Sequence, residues 1–195
     1  MSASSKSDAA VKELAGHAGA VQHVCVWKEG SILASTSDED RTVRLWDLRA
    51  EEARAVRCIR FRSDPQAAEE DSFLSCTCFG RNQDELFIAY GSNIAKFDIR
   101  SCSDVVVDGL KLPTLFKAED EINELSYNSG ARQMDSGNPL LAAADDTGSI
   151  NVVSPLDGSV YRKLDKEHSN VCAFLFHPFI PLNLLLFFFF DDDAQ

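Results

Sequence analysis

The sequence predicts an all-β protein built from a repeated four-stranded unit, and three observations lead there. Short runs rich in β-branched and aromatic residues are separated throughout by turn residues, which is the local signature of strands. The runs fall into successive groups of four, with a period of about 50 residues. The residue order also recurs: Leu33-Ala34-Ser35 and Leu141-Ala142-Ala143 each precede an acidic turn (Asp38, Asp40; Asp145, Asp146) and then Thr42-Val43-Arg44-Leu45 or Ser149-Ile150-Asn151-Val152.

Taken in order, residues 1–15 read as a flexible N-terminal extension, in which 9–15 could form one or two helical turns capped by Ser7 or Asp8 and ended by Gly16. The first unit follows with strands at 21–27, 32–35, 43–46 and 56–61. The second has strands at 73–79, 85–90, 93–97 and 111–116, and the third at 122–127, 140–144, 149–153 and 159–164. Small residues in the second strand of a unit suit places where neighbouring sheets approach closely. His17 precedes Val21 as His168 precedes Val171, so the lead-in to a first strand returns after 151 residues, or about three units. Two stretches exceed the repeat and read as exposed loops: the acidic 63–71, and 129–138 with its two glycines, followed directly by Pro139.

Composition narrows the function. A chain of 195 residues is long enough for one domain with a sizeable core and too short for a large multi-domain enzyme. Its 45% hydrophobic and 26% charged residues are those of a globular protein, which excludes wholesale disorder, collagen and coiled coil. With 19 basic against 31 acidic residues, a net charge of -12, it lacks the basis for a phosphate-neutralising surface, so no nucleic-acid partner is expected. The six cysteines (Cys25, Cys58, Cys76, Cys78, Cys102, Cys172) include no C-x-x-C pair, and residues 1–8 lack the order of a signal peptide. A reducing compartment, cytoplasm or nucleus, is expected, with the cysteines as small core residues; Cys76 and Cys78, two apart on a strand, should share a face.

Gly16-His17, followed after 28 residues by Trp46-Asp47, resembles the signature of a WD repeat, one blade of a β-propeller. The resemblance implies that His17, Asp40 and Trp46 belong to one hydrogen-bonded network tying the blade's turns together, a structural role that gives a buried indole N–H and imidazole their partners. The signature fades later: the second unit ends in Phe97-Asp98 without the Gly-His pair, and the third ends in Val153-Ser154 with Lys117-Ala118-Glu119 where the pair would stand. The expected fold is therefore an incomplete WD-repeat propeller over residues 16–178, with antiparallel blades at about 16–62, 63–117 and 118–165 and the start of a fourth at 166–178.

One motif bears on partners. Trp46-Asp47-Leu48-Arg49 and Phe97-Asp98-Ile99-Arg100 share a W/F-D-x-R pattern at the end of the third strand of successive units. An arginine there resembles the short box of WD-repeat substrate receptors of the cullin-4 ubiquitin ligases, which dock on the adaptor damage-specific DNA-binding protein 1. The implied partner-binding set is Trp46, Asp47, Arg49, Phe97, Asp98 and Arg100, with a substrate protein bound elsewhere. An arginine leaving a strand at the rim offers a planar five-donor fork to an acidic or carbonyl-rich partner. The plainer reading is a weak surface bridge from Arg49 or Arg100 to Asp47, Asp98 or a nearby glutamate, in a general scaffold of another complex.

No enzyme is expected. The chain has no Gly-x-Ser-x-Gly, no phosphate-cradling glycine loop and no His-Glu-x-x-His, and His17, His23, His168 and His177 lack partners at metal or triad spacing. Neither a metal nor a cofactor is called for, since four zinc ligands with suitable spacing cannot be assembled. Asp145 and Asp146 sit on a turn that makes adjacent side chains point apart, which suits turn chemistry better than acid–base work. The acidic run Glu69-Glu70-Asp71 reads as a solvated loop, with contact to a basic substrate as the sharper alternative.

Residues 179–195 break the pattern, running through Leu184 to Phe190 into Asp191-Asp192-Asp193 where a second strand like Leu33-Ala34-Ser35 is due. Three blades and part of a fourth do not close a ring, which leaves sheet edges and faces bare. Pyrimidine-rich leucine and phenylalanine codons make the run read as a translated intron tract in a truncated gene product. A membrane tail anchor over 171–190 is the rival by length, but His177, Pro178, Pro181 and Asn183 interrupt it.

Overall fold

The computed structural model describes residues 13–27, 30–51, 55–62, 73–101, 106–108, 113–129, 138–165, 173–175 and 186–188. The expected helix at 9–15, the loops at 63–71 and 129–138, and His168, His177, Cys102 and Cys172 lie wholly or largely outside the described residues.

The first sheet contains β1 (His23–Val26), β2 (Ile32–Ser37), β3 (Thr42–Asp47) and β4 (Ala55–Arg62), antiparallel and in sequence order. The second begins with β5 (Leu74–Phe79), β6 (Glu85–Tyr90) and β7 (Asn93–Asp98), with Gly91 at φ +53 in the two-residue turn between the last two. A single 3-10 turn at Ile99–Ser101 follows. The chain then leaves the second sheet: β8 (Val106–Asp108) pairs parallel with β4, and β9 (Thr114–Lys117) returns to pair with β7. The last strand of this unit starts later than its sequence suggests because Pro113 has no N–H for the ladder. The third sheet is β10 (Ile122–Asn128), β11 (Leu140–Asp145), β12 (Ile150–Val153) and β13 (Val160–Leu164). Beyond it, β14 (Ala173–Leu175) runs close to β10 and pairs with β15 (Leu186–Phe188), so part of the Leu-Phe run takes the place next to a fourth unit's first strand. Three four-stranded antiparallel units in chain order make this an all-β, incomplete propeller.

Strand alternation assigns each side chain to one inter-sheet layer. Ala34, Val43, Leu45 and Ile59 of the first sheet meet Leu86, Ile88 and Tyr90 of the second in one buried cluster, with Phe61 stacked on Tyr90 at 5.3 Å. Phe87, Ala89 and Ile94 point the other way and meet Leu125, Leu141, Ala143 and Val153 of the third sheet. Cys76 and Cys78 join that second cluster together, sharing a face. Each buried Leu, Ile or Phe contributes roughly 1.5–3 kcal/mol, so these layers are what hold the sheets in register with one another. Polar ties cross the same layers: Thr36 Oγ1 donates to the Ser75 carbonyl at 3.2 Å, Ser75 Oγ to the Ile122 carbonyl, and the Leu74 N–H to Asp38 at 2.9 Å. Lys96 Nζ lies 2.6 Å from Glu85 and donates to the Pro155 carbonyl at 3.3 Å, linking the second sheet to the third.

The face of the first sheet turned away from the second is less covered. Val24 and Val26 are 56% and 51% exposed there, while Cys25 between them points into the first cluster.

Candidate functional site

Two constellations stand out, one structural and one on the rim. The structural one covers Trp46. Its indole is 2% exposed, and a buried N–H of that kind needs an acceptor. Register supplies one: Leu33 pairs with Trp46, so Ser35, two positions on along β2, points to the same face, and Trp46 Nε1 donates to Ser35 Oγ at 2.8 Å. His17, on the segment lying over this face, brings Nε2 to 2.7 Å from Ser35 Oγ and Nδ1 to 2.9 Å from Asp40 Oδ2. A carboxylate only accepts, so Nδ1 carries the ring proton, Nε2 accepts from the serine hydroxyl, and the chain runs Trp46 to Ser35 to His17 to Asp40.

Asp40 is the hub. Its carboxylate also accepts from the Ala18 N–H at 2.9 Å, the Thr42 N–H at 3.1 Å and Thr42 Oγ1 at 2.6 Å. Burial alone would raise this carboxyl; the hydrogen bonds from Thr42, Ala18 and His17 outweigh it and hold Asp40 below its ordinary value. The structure therefore joins His17, Asp40 and Trp46, and adds Ser35 and Thr42, which sequence reasoning did not single out. Ser35 had a signal, a hydroxyl on an otherwise apolar strand facing a tryptophan.

The later units dispense with the network in ways their residues explain. Phe97 occupies the position of Trp46, has no donor to satisfy, and packs edge-on against Phe61 at 6.3 Å. In the third unit Ala143 and Val153 replace Ser35 and Trp46 within an apolar layer. Asp145, fully buried, instead closes the turn by accepting from the N–H groups of Thr147 at 3.1 Å and Ser149 at 3.3 Å and from Asn151 Nδ2 at 3.3 Å. Asp146 points elsewhere and accepts from Asn123 Nδ2 at 2.6 Å.

On the rim, the two W/F-D-x-R motifs have the same backbone geometry. Asp47 Oδ1 accepts from the Arg49 N–H at 2.9 Å, and Asp98 Oδ1 from the Arg100 N–H at 3.0 Å, each just after the third strand of its sheet. This aspartate turn presents both arginines at solvent-exposed positions. Their heads differ. Arg100 is held by Asp98 through Nε at 3.1 Å and Nη2 at 2.8 Å, with Asp84 at 3.7 Å, and these partners raise its already high pKa. Among the described residues no carboxylate stands within ion-pair distance of Arg49.

A third group lies on the inner strands: His23 Nε2 is 3.5 Å from Glu124 and its Nδ1 accepts from the Thr77 N–H at 3.4 Å, joining three sheets. Nothing in the sequence pattern pairs these residues. Burial pushes the Cys25 thiol up to about 11 and those of Cys76 and Cys78 well above the ordinary value; Cys76 and Cys78 are core thiols, and Cys25 is a half-buried one packed against the first cluster. Among the described residues no three His, Cys, Asp or Glu side chains could hold a metal ion, and no helix is long and apolar enough to cross a membrane.

The four-stranded units, stacked in chain order around their first strands, with a His-Asp-Ser-Trp network in the first of them, define a β-propeller of the WD type, and residues 9–47 match the family described as WD domain, G-beta repeat. The chain belongs to the WD-repeat family, whose members are generally non-catalytic interaction scaffolds. It is 30% identical over 161 residues to WD repeat-containing protein 53 homolog of Dictyostelium discoideum, an alignment covering 83% of this chain and 39% of that relative. The chain thus spans well under half the length of the relative it matches.

Proposed function

We propose that this protein is a non-catalytic substrate receptor of a cullin-4 RING ubiquitin ligase, working in the cytoplasm or nucleus, which docks through Arg49 and Arg100 on damage-specific DNA-binding protein 1. The observation that carries the reading is the shared rim geometry: two successive sheets end their third strands in the same aspartate turn, with N–H to Oδ1 distances of 2.9 and 3.0 Å, and display an arginine there. Such a pair offers a partner two forked donors on one side of the propeller. Trp46 and Phe97 contribute by packing the ends of the strands that carry the turns, and Asp47 and Asp98 by shaping the turns themselves. Recruitment would be the whole mechanism: a substrate held on another face is brought to high effective concentration beside the ligase.

The second reading is a general WD-repeat scaffold in another complex. It draws on Arg100, whose guanidinium is already engaged by Asp98 and Asp84. Binding of the full chain to the purified adaptor, compared with the Arg49→Ala, Arg100→Ala variant, separates the two. Loss in the variant supports the receptor, and no binding by the wild type supports the general scaffold.

A further inference from the structure

The third unit carries the same rim turn as the first two, with a leucine where they have an arginine. Register fixes the correspondence: Leu33 pairs with Trp46, Leu86 with Phe97 and Leu141 with Val153, each from the second position of its strand. Ser154-Pro155-Leu156 therefore stands where Asp47-Leu48-Arg49 and Asp98-Ile99-Arg100 stand. The turn is closed in the same way, since the Leu156 N–H donates to Ser154 Oγ at 3.3 Å as the arginine N–H groups donate to Asp47 and Asp98 at 2.9 and 3.0 Å. A serine hydroxyl does this more weakly than an aspartate carboxylate, and with serine in that place the W/F-D-x-R pattern does not show the third copy.

Exposure alone would not single out a surface leucine; its setting does. Leu156 is 73% exposed, more than any other large hydrophobic side chain among the described residues, yet the turn beneath it is pinned. The Gly158 N–H donates to the Ser154 carbonyl at 2.9 Å and the Ser154 N–H to the Ser159 carbonyl at 2.8 Å, while Asp157 accepts from the Ser159 N–H at 3.1 Å and its hydroxyl at 2.8 Å. Pro155 is buried and presets φ at the second position of the turn. The turn is also seated on the second sheet. Lys96, on the strand that leads into the Arg100 turn, donates to the Pro155 carbonyl at 3.3 Å, and a Cβ added at Gly158 would stand 1.8 Å from the Leu115 carbonyl oxygen on β9. Leu156 thus sits on the turn next to that of Arg100, on the same side of the propeller, with a base that needs little ordering when a partner binds.

We infer that Leu156 is a third contact of the docking rim, an apolar anchor beside the Arg49 and Arg100 forks, so that the partner held there carries an apolar pocket next to its acidic or carbonyl-rich surface. The inference rests on the reading of that rim as the adaptor site and supplies a specificity that two arginines lack. Any acidic surface attracts guanidinium groups, whereas an exposed leucine favours only a partner with a dry pocket to receive it. The arginines then govern encounter and the leucine governs how long the complex lasts.

The test measures binding of the full chain to purified damage-specific DNA-binding protein 1 by biolayer interferometry, for wild type, Leu156→Ala, Leu156→Met, Leu156→Arg and the Arg49→Ala, Arg100→Ala variant. Leu156→Ala binds about tenfold more weakly, through faster dissociation at an unchanged association rate, whereas the arginine variant also loses association rate. Leu156→Met stays within about threefold of wild type. Leu156→Arg, which makes the three turns alike, weakens binding at least as much as alanine does. The side chain is 73% exposed, so the urea midpoints of the Leu156 variants match that of wild type and lost binding is not lost fold. Equal binding by wild type and Leu156→Ala, with binding lost in the arginine variant, overturns this inference and leaves the receptor reading standing. Leu156→Arg binding as tightly as wild type or more so overturns it too, because the rim then reads charge alone. Wild type that does not bind the adaptor overturns both.

Discussion

Replacing Ser35 by alanine is the sharpest perturbation of the structural network. The side chain lost is a single oxygen, but it accepts from Trp46 Nε1 at 2.8 Å and donates to His17 Nε2 at 2.7 Å, beside an indole that is 2% exposed. The Ser35→Ala change would leave a buried donor and a buried acceptor without partners, each costing about 1–3 kcal/mol, so a loss of about 2–6 kcal/mol is expected. Trp46→Phe removes the orphaned donor itself. Ser35→Ala combined with Trp46→Phe should therefore cost about 1–2 kcal/mol less than the sum of the single changes. Urea unfolding followed by far-ultraviolet circular dichroism on all four proteins measures this, with equal m-values as the check that the same transition is compared. A Ser35→Ala cost below about 0.5 kcal/mol, typical of an inconsequential surface change, or strict additivity with Trp46→Phe, would refute the chain of hydrogen bonds.

Asp40 sits below its ordinary value when folded, so the unfolded chain takes up its proton first as pH falls. Its stabilisation is present above the unfolded value of about 3.9 and disappears as pH drops through the folded one; Asp40→Asn should flatten the acid limb of the stability curve, and an unchanged acid limb would count against the hub. Cys25, Cys76 and Cys78 should resist alkylation at pH 8 in the folded protein and react only on unfolding, read by mass spectrometry of the labelled peptides. Two glycines with similar backbone angles should separate cleanly. At Gly30 (φ +69) an added Cβ meets nothing within 4 Å among the described residues, so Gly30→Ala carries the backbone cost of about 1 kcal/mol. At Gly158 (φ +73) it would lie 1.8 Å from the Leu115 carbonyl oxygen, and Gly158→Ala should cost clearly more than that, about 2 kcal/mol or above in the same urea assay.

Much of the architecture could be read from the chain because strand alternation and turn chemistry are local signals. Runs such as Leu140–Asp145 and Ile150–Val153 announce themselves by composition, and their antiparallel pairing follows from the short turn between them. The His17, Asp40 and Trp46 grouping came from a resemblance carried by Gly16-His17 and Trp46-Asp47. Ser35 and Thr42 complete it through register, which a sequence reports only indirectly. What escaped the sequence was non-local. Three residues of β8 pair parallel with a strand more than forty positions earlier, and His23 meets Glu124 across the intervening sheet; neither leaves a periodic trace. On the rim the two motifs are equivalent as strings of residues, and only side-chain geometry distinguishes Arg100, held by Asp98 and Asp84, from Arg49.

The measurement that bears most directly on the proposed function is the affinity of the purified full chain for damage-specific DNA-binding protein 1, by biolayer interferometry, for wild type, Arg49→Ala, Arg100→Ala and the double variant. Saturable wild-type binding is expected, with a loss of about tenfold or more for Arg49→Ala, a smaller loss for the self-paired Arg100→Ala, and no measurable binding by the folded double variant. Wild-type protein that does not bind the adaptor, or a double variant that binds as tightly as wild type, would contradict that expectation.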